Sequence, residues 1–214
     1  MLENIKGVIL DLDGTLVNSG FVWSRIDDDF FGKYGMEVPP DYTDKINSAS
    51  FRETAEITKS LYGFSQSVEE IMEEWRQMAA FEYANEVKLK EGALDLLKHL
   101  KEKGLKIGLA TATSDRLFLP CLKNNGVLEF FSAYAYGDEV KRSKEFPDIF
   151  LLCADRLGVS PSDILVFDDV ERAHIGAKAA GMKTCAVYDE YSAFQWEKAK
   201  AAADYSIMSF KEIV

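Results

Sequence analysis

Short apolar runs alternate with helical stretches along most of the chain, and this alternation limits the possible folds strongly. The runs are Gly7–Leu12, Lys106–Ala110, Ile164–Phe167 and Thr184–Val187. Each of the last three follows a helical stretch that ends at a glycine, the residue most common just after a helix. Strands that alternate with helices predict βαβ units and a parallel sheet covered by helices. The sequence therefore predicts an α/β fold.

One part of the chain, residues 18–87, interrupts this alternation. Apolar residues recur there at helical spacing, without a clear strand between them: Val22, Ile26, Phe30, Tyr34, Val68, Ile71, Met72, Trp75 and Met78. We interpret 18–87 as an all-helical domain inserted into an α/β core of residues 1–17 and 88–214. The alternative is that these residues form part of the core of one domain. Trp23 could line the entrance of a site or lie in the core of this domain, and we expect the core.

The formal net charge of −11 restricts the possible partners. Such a surface repels nucleic acid and anionic membranes, so we expect neither as a partner. It also repels phosphate, so any phosphate site must be locally positive. No apolar stretch approaches the roughly 18 residues of a membrane span. The three widely spaced cysteines predict buried reduced thiols and a cytoplasmic protein.

Acidic residues follow the first apolar run, in the segment Asp11-Leu12-Asp13-Gly14-Thr15-Leu16-Val17. Side chains two apart on a strand point to the same side, so Asp11 and Asp13 project together where parallel sheets bind ligands. Two carboxylates this close repel unless a cation lies between them or one is protonated. Mg²⁺ prefers such oxygen ligands. The alternative is an acidic pair that only ends a strand.

A second acidic pair, Asp168 and Asp169, ends the apolar run Ile164–Phe167. Like charges at the end of a buried strand are costly without a cation, so this pair also indicates a metal site. The only two histidines, His99 and His174, are predicted on helix surfaces. The aspartates can serve as metal ligands, so a metal site built from histidine and cysteine is not needed.

Taken together, these segments resemble the haloacid dehalogenase-like hydrolase superfamily, in its subgroup of capped phosphatases and β-phosphoglucomutase-like proteins. The resemblance covers nearly the whole chain and includes two further segments, Ala110-Thr111-Ala112-Thr113 and Lys144-Glu145-Phe146-Pro147-Asp148-Ile149-Phe150. It implies a Rossmann-like parallel sheet core with an inserted all-helical cap domain. It further implies a Mg²⁺-dependent phosphatase that acts through an aspartyl-phosphate.

The resemblance also assigns the reacting groups. Asp11 would attack phosphorus, and Asp13 would give a proton to the leaving oxygen and later take one from water. Thr111 and the neighbouring backbone N–H of Ala112 would bind the phosphoryl group. Lys144 would pair with the nucleophile and the phosphoryl charge, although Glu145 and Phe146 replace the usual residues after it and Lys141 is a rival.

Metal binding and substrate recognition follow from the same resemblance. Asp11, the backbone carbonyl of Asp13 and the carboxylate of Asp169 would hold Mg²⁺, with Asp168 acting through water. Arg52 is our candidate for a cap residue that contacts substrate, and a surface arginine paired with its helix neighbours is the alternative. We expect a small phosphorylated metabolite as substrate, and a monomer or weak homodimer.

Two related enzyme activities and one non-catalytic role are alternatives to the phosphatase. The related sugar phosphomutases place a histidine twelve residues after the nucleophile, and Trp23 occupies that position here. Dehalogenases lack the second aspartate, so Asp13 argues against dehalogenation. A non-catalytic regulator on the same fold should have lost one of the acidic residues or Lys144, and none is lost. Fold alone does not determine function.

Overall fold

The computed structural model describes residues 1–46, 49 and 51–214, except for the side chain of Asp44. The chain forms two compact units. The first contains Met1–Gly20 and Val87–Val214, and the second contains Phe21–Glu86. We call the first the sheet unit and the second the helical unit.

The sheet unit contains every strand of the described chain. The strands are β1 (Gly7–Leu10), β2 (Val17–Asn18), β3 (Lys88–Leu89), β4 (Lys106–Thr111), β5 (Ala133–Tyr136), β6 (Ile164–Asp168), β7 (Lys183–Val187) and β8 (Tyr205–Ile207). Six of them form one sheet in the order β5-β4-β1-β6-β7-β8, and each pair in it is parallel. The remaining pair, β2 and β3, is antiparallel. The predicted α/β class is confirmed.

Helices occur in both units. The helical unit contains α1 (Val22–Lys33), α2 (Tyr42–Ile46), α3 (Phe51–Tyr62) and α4 (Val68–Asn85). The sheet unit contains α5 (Ala93–Glu102), α6 (Asp115–Asn124), α7 (Asp148–Leu157), α8 (Glu171–Ala179) and α9 (Trp196–Ala202). No helix in the described ranges combines the length and the apolar character needed to span a membrane.

Two strands of the sheet, β5 and β8, were not predicted, nor was the β2–β3 pair. We also expected Pro120 to delay or bend its helix, because proline lacks the N–H that an interior position needs. The helix α6 begins at Asp115 and continues through Pro120, so it does not start late, and the bend stays a prediction. Apart from these differences, the four predicted strands are present within two residues of their expected ends.

The order of the strands determines where the acidic segments meet. The central strand β1 pairs with β4 on one side and with β6 on the other, and Leu10 is in register with Leu109 and Phe167. The backbone N–H of Asp11 donates to the carbonyl of Phe167 at 3.0 Å. The residues that follow β1, β4 and β6 therefore emerge side by side at one edge of the sheet, as parallel strands require.

An aromatic cluster fills the core of the helical unit. Phe30 lies 4.9 Å from Phe64 and 5.5 Å from Trp75, measured between ring centroids. The long helix α4 begins with a capping box, in which Ser67 and Glu70 each accept from the other's backbone N–H. Trp23 does not belong to this core, because 48% of its surface is exposed. The expectation that it is buried in a core is therefore wrong.

One glycine, Gly108 of β4, allows helix α7 to pack closely on the sheet. A Cβ atom at this position would lie 2.6 Å from the Sγ of Cys153 and 3.1 Å from Leu157. We expect Gly108→Ala to lower the free energy of unfolding by about 1–3 kcal/mol, because a closely packed core does not accept another methyl group without shifts. Urea unfolding followed by circular dichroism measures the change.

A matched control is Gly32→Ala in α1, where an added Cβ meets no atom within 4 Å. This substitution should raise the free energy of unfolding by about 0.5 kcal/mol, since alanine is the better helix former. Equal effects of the two substitutions would contradict the close packing of α7 on β4.

Candidate active site

Three buried carboxylates converge at the ends of β1 and β6. Asp11, Asp168 and Asp169 each place an oxygen within 4.8 Å of the others, and their residues are 6%, 1% and 6% exposed. Asp11 directly follows β1, Asp168 ends β6 and Asp169 follows it. This group, which we call the carboxylate cluster, joins two acidic segments that are more than 150 residues apart in the sequence.

A single lysine ammonium group binds two members of the carboxylate cluster. The Nζ atom of Lys144 donates to Asp11 Oδ1, and to Asp168 Oδ2 at 2.8 Å. Burial alone would lower the pKa of Lys144, but the attraction of the two carboxylates outweighs burial and raises it. The lysine is therefore positively charged in the site. No ion pair of the rival Lys141 is present among the described residues.

Burial raises the free energy of the ionised carboxylates in the cluster. The pKa of Asp11 is raised well above its usual value by burial and by the neighbouring carboxylates, although Lys144 opposes the change. The pKa of Asp169 is raised to about 7, mainly by burial and by repulsion from Asp168, while a hydrogen bond from Ser192 opposes this. These shifts indicate that the charges in the cluster are incompletely balanced.

The charge balance and donor set fit a divalent cation. Three carboxylates and one lysine leave a formal charge of −2, which equals the charge that Mg²⁺ would neutralise. All the donor atoms are carboxylate oxygens, the ligand type that Mg²⁺ prefers. The predicted residues Asp11, Asp168 and Asp169 could therefore hold the metal. The predicted contact of Asp13 through its backbone carbonyl stays a prediction.

Glycine at position 14 allows the two acidic segments to approach. Its φ of +75° is in the left-handed region, and a Cβ would lie 2.8 Å from Asp169 Oδ2. The Thr15 hydroxyl donates to Asp169 Oδ1 at 3.3 Å. The turn after β1 therefore positions the carboxylate of Asp169 as well as that of Asp11.

Two hydroxyl groups fix the orientation of Asp13. Ser19 donates to Asp13 Oδ1 at 2.7 Å, and Thr113 donates to Oδ2 at 2.5 Å. Both oxygens of the carboxylate thus have donors, so the side chain is held in one orientation. Sequence analysis did not identify either donor, although Thr113 belongs to the segment in which Thr111 was singled out.

Thr111 and Ala112 lie at the end of β4, next to β1. Thr111 is buried and its hydroxyl accepts from the backbone N–H of Thr113 at 3.1 Å, whereas Ala112 is exposed. Their location at the strand end agrees with the geometry expected for a phosphate site. Their contact with phosphate stays a prediction.

A half-buried lysine that sequence analysis missed connects the turn after β1 with the turn after β7. Lys90 donates to the carbonyl oxygens of Gly14 and Tyr188, at 2.7 and 2.6 Å, and to Asp189 Oδ1 at 3.1 Å. Asp189 in turn accepts from the backbone N–H groups of Tyr191 and Ser192. These contacts hold together two turns that border the carboxylate cluster. The position of Lys90 before a helix gave no signal of this role.

A second glycine, Gly176 of α8, makes room for the segment that carries Lys144. A Cβ at Gly176 would lie 2.1 Å from the carbonyl oxygen of Lys144 and 2.8 Å from that of Phe146. No motif in the sequence pointed to this glycine. The segment of Lys144 therefore depends on a residue from a different helix.

Two other sequence expectations can be compared with the structure. His174, predicted on a helix surface, is fully buried, and burial lowers its pKa. That prediction is wrong, because the face of α8 that carries His174 is covered.

Arg52 is exposed and forms ion pairs with Glu69 at 3.0 Å and Glu56 at 4.0 Å, so the alternative of a paired surface arginine is present. A substrate contact by Arg52 stays a prediction.

We expect Mg²⁺ to stabilise the protein by occupying the carboxylate cluster. At one hundred times its dissociation constant, a ligand of the native state adds about 2.7 kcal/mol to the free energy of unfolding. Asp169→Asn should lose at least about 1.4 kcal/mol of this gain, which corresponds to a tenfold weaker affinity. Thermal unfolding with and without Mg²⁺ measures both effects independently of catalysis.

The matched control for this experiment is Asp163→Asn. Asp163 pairs with Lys6 outside the cluster, at 2.7 Å. This variant should keep the full stabilisation by Mg²⁺. The assignment of the cluster as the metal site would be incorrect if both variants responded to Mg²⁺ as the unaltered protein does.

Comparison with known proteins identifies the family of the chain. The family model of haloacid dehalogenase-like hydrolases matches residues 8–187. The phosphorylated carbohydrates phosphatase of Thermotoga maritima is 27% identical over 84% of this chain and 83% of its own. The phosphoglycolate phosphatase of Shigella boydii is 29% identical over 84% of this chain and 79% of its own.

A solved structure also resembles the chain over its full length. It comes from Thermotoga maritima and carries the provisional description of a beta-phosphoglucomutase. It is 25% identical, covers 98% of this chain and 100% of its own, and has a TM-score of 0.84. Since the family model spans most of the sequence, the chain belongs to the haloacid dehalogenase-like hydrolases.

Proposed function

We propose that this protein is a Mg²⁺-dependent phosphatase that hydrolyses a small phosphate monoester through a phosphorylated Asp11. The observation that carries the proposal is the carboxylate cluster of Asp11, Asp168 and Asp169, paired with Lys144, whose side chain is 10% exposed. Relatives described as phosphatases of phosphorylated carbohydrates and of phosphoglycolate support the reaction type. They do not determine which monoester this chain hydrolyses.

The first step is attack by an Asp11 carboxylate oxygen on phosphorus. A phosphate monoester is dianionic at neutral pH and repels a carboxylate, so positive charge is needed in the site. Lys144 supplies one such charge and favours the ionised form of Asp11. The bond from phosphorus to the alcohol oxygen breaks as the bond to Asp11 forms.

Asp13 is the proposed general acid and base. In the protonated form it gives its proton to the departing alcohol oxygen. As a carboxylate it then takes a proton from the water that attacks the phosphorylated Asp11, which releases inorganic phosphate and restores the nucleophile. The hydrogen bonds from Ser19 and Thr113 hold its carboxyl group in a fixed orientation for both transfers.

Several side chains bind the phosphoryl group and the metal in this proposal. The Thr111 hydroxyl and the backbone N–H of Ala112 donate to phosphoryl oxygens. Asp11, the backbone carbonyl of Asp13 and the Asp169 carboxylate would hold Mg²⁺, and Asp168 would act through water. When bound, Mg²⁺ supplies positive charge that offsets the repulsion between carboxylate and phosphate.

The helical unit is proposed to be the cap that recognises the leaving group, with Arg52 as one candidate contact. We propose core boundaries of 1–17 and 88–214 and a cap of 18–87. A small phosphorylated metabolite as substrate, a monomer or weak homodimer, and a cytoplasmic location remain predictions. The three cysteines, all buried and unpaired, support a reducing compartment.

A sugar phosphomutase is the main alternative among enzymes. Its support is the structural similarity to a protein provisionally described as a beta-phosphoglucomutase. The corresponding cap position is occupied by Trp23, whose indole cannot exchange a proton as a histidine can. We therefore favour hydrolysis.

We expect Asp11→Asn to reduce phosphatase turnover by about 10⁴-fold or more, because the amide cannot act as the nucleophile. The assay measures release of p-nitrophenol from p-nitrophenyl phosphate in the presence of Mg²⁺. The non-catalytic alternative predicts no turnover even in the unaltered protein.

Asp163→Asn again provides the matched control, since it makes the same chemical change at a surface ion pair. Its turnover should stay within about twofold of the unaltered protein, as is usual for surface substitutions. Near-normal turnover in Asp11→Asn would show that another residue is the nucleophile. Circular dichroism should show that both variants are folded.

A further inference from the structure

The helical unit contains a cleft whose lining combines aromatic rings with one carboxyl group. It has a volume of about 240 Å³, and its walls include Trp23 and Asp27 of α1, Phe51 and Thr54 of α3, and Trp75 of α4. We call it the aromatic cleft. Its volume suits a ligand smaller than the drug-sized molecules that occupy larger pockets.

The three aromatic rings form successive walls of the cleft. The centroids of Trp23 and Phe51 are 5.8 Å apart with an interplanar angle of 63°, and those of Phe51 and Trp75 are 5.7 Å apart with an angle of 61°. Each ring therefore meets the next edge to face, and Trp75 is only 3% exposed, so Trp23 offers the most accessible ring surface of the three. The negative faces of aromatic rings attract cations.

Asp27 lies on the same face of α1 as Trp23, four residues later. Among the described residues, Asp27 has no hydrogen bond and no ion pair. The nearby arginine Arg25 pairs instead with Glu82, at 2.9 Å. Burial, together with repulsion from Asp28, raises the pKa of Asp27 to about 7. The carboxylate therefore lacks a counter-charge that a ligand could supply.

The ring of Phe51 already has a cationic side chain close to it. The Arg76 guanidinium carbon lies 5.5 Å from the centroid of Phe51, while its Nη1 atom pairs with Glu73 at 3.4 Å. Arg76 forms no ion pair with Asp27 among the described residues. A second cation could therefore associate with the cleft without replacing an existing salt bridge.

We propose that the aromatic cleft binds an organic ammonium group, with Asp27 as its counter-ion and Trp23, Phe51 and Trp75 as its aromatic walls. The rings attract the cation and cover its alkyl groups, and the carboxylate supplies the balancing charge. A purely apolar ligand would leave the half-buried carboxylate unbalanced, and an anion would be repelled by it. This inference does not depend on the proposed hydrolysis of phosphate esters.

The test uses choline and its neutral carbon isostere, the alcohol in which a tert-butyl group replaces the trimethylammonium group. The two molecules have nearly the same shape and differ in charge. Isothermal titration calorimetry at pH 8 keeps Asp27 ionised. We expect choline to bind with a dissociation constant on the order of 1 mM, and at least about tenfold more tightly than the isostere.

Asp27→Asn should reduce the affinity for choline about tenfold, to the level of the neutral isostere. The matched control is Asp28→Asn, which removes the same charge from an exposed neighbour on α1 and should retain choline binding within about twofold. A second variant, Trp23→Leu, removes one wall at a position that tolerates exposure and should also weaken choline binding. Urea unfolding verifies that each variant is folded.

Three results would overturn the inference. One is the absence of saturable choline binding to the unaltered protein. Another is equal binding of choline and its neutral isostere, which would make the cleft an apolar site. The third is a parallel loss of affinity in Asp27→Asn and Asp28→Asn, which would indicate a general effect of surface charge. None of these results depends on phosphatase activity.

Discussion

Repulsion among three buried carboxylates is the constraint around which the site is organised. Asp11, Asp168 and Asp169 meet where two parallel strands end, and within the described part of the chain one lysine, Lys144, pairs with them. Bringing like charges out of water costs several kcal/mol per group unless opposite charge is supplied. This cost falls at the carboxyl ends of the central strands, and the same unbalanced charge suits the divalent cation that we propose for the site.

Close packing around glycine positions this charge. Gly14 lets Asp169 approach the turn after β1, and Gly176 lets the segment of Lys144 lie against α8. Lys90 adds a third restraint by linking the turns that follow β1 and β7. The cluster therefore depends on residues that carry no chemistry of their own, and such supporting contacts hold reactive groups in a productive geometry.

The pattern of apolar residues along the sequence predicted much of the sheet. Short apolar runs that follow helical stretches ending at glycine clearly indicate buried strands. The pattern failed for β5 and β8, since Ala133–Tyr136 contains only alanine and tyrosine and no branched aliphatic residue, and Tyr205–Ile207 has only three residues. The acidic residues and Lys144 were identified from their motifs and strand-end positions. Lys90 and Thr113 were not, because their contacts join segments distant in sequence. Ser19 was not, because its hydrogen bond to Asp13 depends on the turn between the two residues.

The aromatic cleft and the carboxylate cluster have different origins along the chain. The helical unit is one uninterrupted stretch, Phe21–Glu86, whereas the sheet unit is assembled from the sequence on both sides of it. Every named wall of the cleft thus comes from a single contiguous segment of the gene. Recombination between homologous genes could exchange that segment whole, so ligand preference can diverge in evolution while the residues of the cluster are inherited unchanged.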